Sequence, residues 1–178
     1  LAITQYADDL TLWVQGPHSA CEQVCQVLRR SKKLTELGQI ALSGGIEVAK
    51  AVEDAGQQGH IGSVDLLDLP AVEAFAGEVK AKFGRIHSVV FATGPFLHIL
   101  PIMDAEPQVF YDTLDADVKG FYHVLKAVVP HLREGGGGSI TALTTAAIPR
   151  YIATDGLSSI PKAGVQHLAD RLEGVKLE

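Results

Sequence analysis

The sequence predicts an α/β protein built on a parallel sheet with helices on both faces. Three observations predict it. Short apolar runs alternate with longer runs of helical periodicity from Leu10 onward. One of the short runs, Ile86-His87-Ser88-Val89-Val90-Phe91-Ala92, is almost continuously apolar, as a strand covered on both sides should be. The chain has 178 residues, 47% hydrophobic and 20% charged, which suits one domain with a full core.

Residues 1–9 precede the first periodic element and are expected to be an irregular extension. Leu10–Val14 reads as a strand, and Cys21–Arg30 as a helix with Val24, Val27 and Leu28 on its inner face. Gln39–Leu42 is a second short strand, closed by Ser43-Gly44-Gly45. Ile46–Ala55 is helical and ends near Gly56, and Ile61–Val64 is a third strand. Pro70 opens a helix in its first turn, and that helix runs to about Lys82 and stops at Gly84. Ile86–Ala92 is the fourth strand. Pro107 begins a long helix through Leu132, with Leu114, Val118, Phe121, Leu125 and Val128 on one face. Pro130 falls in its last turns, where a kink is tolerable. Gly135–Gly138 links this helix to a strand at Ser139–Leu143, a final helix covers Pro161–Leu172, and Val175–Leu177 begins one more strand. No repeat or linker divides residues 1–178. Strand, helix and strand in this order, with right-handed crossovers, give a doubly wound, three-layer α/β/α arrangement of Rossmann type.

The net charge of −6 disfavours a nucleic-acid backbone as partner. No apolar run approaches the ~18 residues of a membrane span, and no basic-then-apolar start marks a signal peptide. Cys21 and Cys25 read as small buried hydrophobes in a reducing cytoplasm, not as a disulfide framework. The seven histidines show no metal-binding spacing, and there is no G-x-S-x-G elbow.

The order of motifs from Leu10 onward resembles the short-chain dehydrogenase/reductase family. Val64-Asp65-Leu66-Leu67-Asp68 stands where that family carries an aspartate that contacts adenine, which implies that role for Asp65. Phe91-Ala92-Thr93-Gly94 stands at the family's NNAG turn, implying that Ala92 and Gly94 border the cofactor. Val118-Lys119-Gly120-Phe121-Tyr122-His123-Val124 is similar to the central helix. Ser158-Ser159-Ile160-Pro161-Lys162 occupies the YxxxK position. The resemblance implies an oxidoreductase that uses NAD or NADP on a small carbonyl or alcohol substrate. It also implies a homodimer or homotetramer formed through the helices at Gln108–Leu132 and Pro161–Leu172.

The departures from the family pattern bear on activity. Its phosphate loop aligns with Gln15-Gly16-Pro17-His18-Ser19-Ala20-Cys21-Glu22, where only Gly16 matches. Glycines let the backbone turn tightly against a pyrophosphate, and Glu22 adds a repelling charge, so weakened dinucleotide affinity is expected. His18 faces the nucleotide side of this loop. After the second strand Ser43-Gly44-Gly45 offers no carboxylate before Glu47, which slightly favours NADP over NAD. Lys162 matches the family lysine and is expected to hold ribose hydroxyls. Ser158 replaces the tyrosine, Thr145 the serine, and Asp117 the asparagine that orders a relay water. A phenol with a pKa near ~10 can be tuned by a neighbouring ammonium, whereas an aliphatic hydroxyl cannot, so Ser158 is at most a relay. Tyr151, in the loop before the last helix, is the alternative phenol. The chain ends where the family's sixth strand would lie, so the last strand and substrate loop are expected to be missing.

Two other readings compete. Gln5-Tyr6-Ala7-Asp8-Asp9-Leu10-Thr11-Leu12 resembles the YxDD hairpin of a reverse-transcriptase palm, where adjacent carboxylates bind two Mg²⁺ ions. A palm also needs a third carboxylate and a basic template channel, and this acidic chain has no evident channel, so two solvated acids before a strand are the better account. The other reading is a non-catalytic binding or assembly domain that keeps the fold without the chemistry. Dinucleotide binding separates it from the enzyme.

Overall fold

The computed structural model describes residues 2–5, 10–15, 49, 50, 52–54, 56, 58–94 and 98–172. Among them the chain forms β1 (Ala2–Gln5), β2 (Leu10–Gln15), β3 (Gln58–Ser63), α1 (Leu69–Phe83), β4 (Ser88–Phe91), α2 (Pro107–Leu114), a π-helical turn (Asp115–Lys119), α3 (Gly120–Glu134), β5 (Ser139–Ala142) and α4 (Gly156–Asp170). The expected elements at Cys21–Arg30, Gln39–Leu42 and Val175–Leu177 lie outside the described residues.

The architecture is α/β, and β4 and β5 pair parallel, with Ser88 opposite Ser139 and Phe91 opposite Ala142. The N-terminal strands differ from expectation in two ways. Residues 2–5 form a strand, not an irregular extension. Leu10–Gln15 is a strand as expected, but it pairs antiparallel with β1 on one side and β3 on the other. The first pairing has a plain cause. Gln5 faces Leu10 across four intervening residues, and parallel neighbours need a crossover of a dozen residues or more. Residues 6–9, which separate the two strands along the chain, lie outside the described residues. β1 runs alongside β4, which brings the antiparallel and parallel sheets together.

Asp68 caps α1. Its side chain accepts the Ala71 amide at 3.2 Å, Pro70 sits in the first turn, and Gly84 ends the helix with φ 82°. Asp68→Ala is expected to lower stability by about 1 kcal/mol in urea denaturation. A change below about 0.3 kcal/mol would show that other contacts set the start of the helix.

The single helix expected over 107–132 is interrupted by the π-helical turn, which inserts extra backbone between α2 and α3. α4 begins at Gly156, ahead of the expected Pro161, because the Asp155 carbonyl accepts the amides of both Ser158 and Ser159. Pro161 then sits inside the helix and forfeits one backbone bond.

The core lies between α1, α3 and the strands. Phe91 and Phe121 are at most 1% exposed, and their ring centroids are 4.7 Å apart. Val79, Ile86, Val128 and Leu132 close around them. Lys80 donates to Glu134 at 2.6 Å and ties the end of α1 to the end of α3, holding the Glu134 carboxyl below its ordinary pKa. A Cβ on Gly138 would fall 2.1 Å from the His87 carbonyl oxygen, so only glycine lets β5 start this close to β4.

Candidate active site

A cleft of about 410 Å³ opens at the carboxyl ends of β4 and β5, the position where open α/β sheets bind ligands. Ala92, Thr93 and Gly94 follow β4 into it, Leu143, Thr144 and Thr145 follow β5, and Leu157, Ser158 and Lys162 come from α4. Asp117 enters from the π-helical turn, a feature often found at functional sites. Close packing of α4 on that turn depends on Gly164, where a Cβ would lie 2.8 Å from Val118 Cγ2.

The centre of the cleft is a buried ion pair. Lys162 Nζ donates to Asp117 Oδ1 at 2.8 Å, and the two side chains are 11% and 1% exposed. Nζ also donates to the Thr93 carbonyl and lies 5.7 Å from the centre of the Phe91 ring. Burial pushes the Asp117 carboxyl above its ordinary pKa of 3.8, while the hydrogen bond and charge of Lys162 pull it down. Thr145 Oγ1 accepts the Ala147 amide at 3.2 Å, which fixes the turn after β5.

Six of the expected site residues around the chemistry are therefore neighbours: Ala92 and Gly94 on one wall and Thr145, Ser158, Lys162 and Asp117 on the others. Tyr151 is not among them. It is 93% exposed and does not line the cleft, because it sits in the loop between the Thr145 turn and α4. Asp65 also stands apart from the cleft. It is exposed beyond β3, and its Oδ1 accepts the Leu67 amide at 2.7 Å. Gly16, His18 and Ser43 lie outside the described residues.

Sequence reasoning missed Thr93. It is 4% exposed, its carbonyl anchors Lys162, and its hydroxyl is buried without a hydrogen-bond partner. Its place between Ala92 and Gly94 was the available signal. The site suits a polyhydroxylated ligand such as a dinucleotide ribose. Lys162 spends two of its three N–H groups on protein acceptors, and the Thr93 hydroxyl has none.

Residues 38–172 match the family model described as enoyl-(acyl carrier protein) reductase. The chain is 32% identical over 111 residues to sulfoacetaldehyde reductase 2 of Chromohalobacter salexigens, covering 62% of this chain and 39% of that protein. It is 30% identical over 156 residues to the BbsC subunit of a hydroxy(phenyl)methylsuccinyl-CoA dehydrogenase of Thauera aromatica, covering 79% and 60%. The chain thus spans less than two thirds of the length of these relatives. The structure of a carveol dehydrogenase from Mycobacterium avium in complex with NAD superposes with a TM-score of 0.67 at 25% identity, covering 74% of this chain and 50% of that one.

Proposed function

The chain belongs to the short-chain dehydrogenase/reductase family, and on that footing we propose that it is an NAD(P)-dependent oxidoreductase acting on a small carbonyl or alcohol substrate. The observation that carries this reading is the buried Lys162, fixed by Asp117 and the Thr93 carbonyl in a cleft that also holds Thr145 and Ser158. A bound nicotinamide dinucleotide supplies or accepts the hydride. Lys162 holds ribose hydroxyls, Thr145 orients the substrate oxygen, and Ser158 passes a proton. Ala92 and Gly94 border the nicotinamide side, and a Cβ at Gly94 would meet Lys162 Nζ at an ordinary contact distance of 3.7 Å. Asp65 reaches the adenine end, and Gly16, His18 and Ser43 line the phosphate and ribose path. NADP is slightly favoured over NAD, because Ser43-Gly44-Gly45 carries no acid.

The proposed assembly is a homodimer or homotetramer. It is supported by an apolar groove of about 300 Å³ between α3 and α4, lined by Leu125, Val129, Pro130, Leu168 and Leu172. Among the described residues no helix is long and apolar enough to cross a membrane. The cysteine usage accords with a cytoplasmic setting.

Titration with NADPH and NADH, read by fluorescence and thermal shift, tests the proposal. Ligand at ~100 times its Kd should add about 2.7 kcal/mol of stability. No shift with either dinucleotide at millimolar concentration would overturn the oxidoreductase reading.

A further inference from the structure

Hydride exchange with a carbonyl or alcohol is accompanied by a proton, and among the described residues the cleft is lined by two titratable side chains, Asp117 and Lys162. The other polar side chains lining it are the hydroxyls of Thr93, Thr144, Thr145 and Ser158, which release a proton only to a base. Resting on the oxidoreductase reading, we propose that Asp117 is the proton-exchanging residue of this site, positioned by Lys162.

The geometry supports Asp117 over Lys162. Lys162 is committed as a donor to two acceptors, the Asp117 carboxylate and the Thr93 carbonyl. An ammonium held in this way has no lone pair with which to act as a base. Asp117 is 1% exposed, and burial makes its carboxylate more basic than a solvated one. Lys162 is the charged side chain bonded to it from α4. On α2, Asp112 is bonded to Gln108 instead, and Asp115 and Lys119 on the turn itself are exposed.

In alcohol oxidation the alcohol O–H bond breaks and its proton moves to the Asp117 carboxylate. The electron pair of the C–H bond leaves as hydride to a nicotinamide dinucleotide, which is reduced, and the C=O bond forms. Carbonyl reduction runs these transfers in reverse, with Asp117 as the acid.

The test combines a carboxyl ¹³C NMR titration of the unliganded protein with pH profiles of single-turnover alcohol oxidation for the wild type, Asp117→Asn and Asp117→Glu. One carboxyl resonance, lost in Asp117→Asn, is expected to titrate above the ordinary aspartate range, and its midpoint should match the acid limb of the wild-type rate. Asp117→Asn should still bind dinucleotide, lose that limb and slow by roughly 100-fold or more. Asp117→Glu should retain a displaced limb, and it keeps the test decisive if the asparagine variant does not fold. An unchanged rate and profile in either foldable variant would overturn the inference alone, as would dinucleotide binding without turnover at any pH. Absence of binding would overturn the oxidoreductase reading and this inference with it.

Discussion

Lys162→Met is expected to lower folding stability by about 3–5 kcal/mol near neutral pH, because it leaves Asp117 charged, buried and unpaired. The magnitude follows from burial: the carboxylate is 1% exposed and its bonded charge partner is this one ammonium. The loss should shrink as the pH falls. The folded-state pKa of Asp117 lies above the unfolded value, so protonation favours the folded state. Its contribution is fully present below the ordinary pKa and is lost as the pH rises through the raised folded value. Without Lys162 that folded value rises further, and the protonated carboxyl carries no uncompensated charge. Urea denaturation at roughly pH 5 and pH 8 reads the difference directly. The double variant Asp117→Asn/Lys162→Met should recover most of the loss, since removing both partners leaves no buried charge. A single-variant loss below about 1 kcal/mol at the higher pH, typical of a solvated surface pair, would show that water reaches the carboxylate.

Phe121→Ala is expected to cost about 3–5 kcal/mol, through lost burial and the cavity left behind. Phe121 is 0% exposed and packs on Phe91 with ring centroids 4.7 Å apart. Phe91 in turn lies beneath the Lys162 ammonium. The same variant should therefore loosen the floor of the cleft and weaken dinucleotide binding as well as the fold. A stable Phe121→Ala protein, with less than about 1 kcal/mol lost by urea denaturation, would mean that the core collapses to fill the space.

Much of the lining of the cleft was legible in the sequence. The helix at Leu69–Phe83 could be placed from Pro70 and Gly84 because both ends are set by local backbone chemistry. The strands at Ser88–Phe91 and Ser139–Ala142 followed from apolar runs next to glycine-rich turns. Thr145, Ser158, Lys162 and Asp117 could be nominated together because their spacing along the chain matched that of a family pattern.

Other features depended on interactions between distant segments. A π-helical turn has no local signature in Asp115-Ala116-Asp117-Val118-Lys119. The antiparallel pairing of β2 with β3 joins segments some forty residues apart, and strand direction leaves little trace in a short apolar run. Tyr151 had the right chemistry at a plausible distance along the chain, yet it ends 93% exposed.

The sequence by itself determined which residue types could line the cleft and where the helix at Leu69–Phe83 begins, because those properties are local. Only the tertiary structure decided that Lys162 would meet the Asp117 carboxylate and the Thr93 carbonyl, which lie 45 and 69 residues away along the chain. The energetics of a buried charge depend on what surrounds it in space, and that is fixed only when α4, the π-helical turn and the end of β4 pack together.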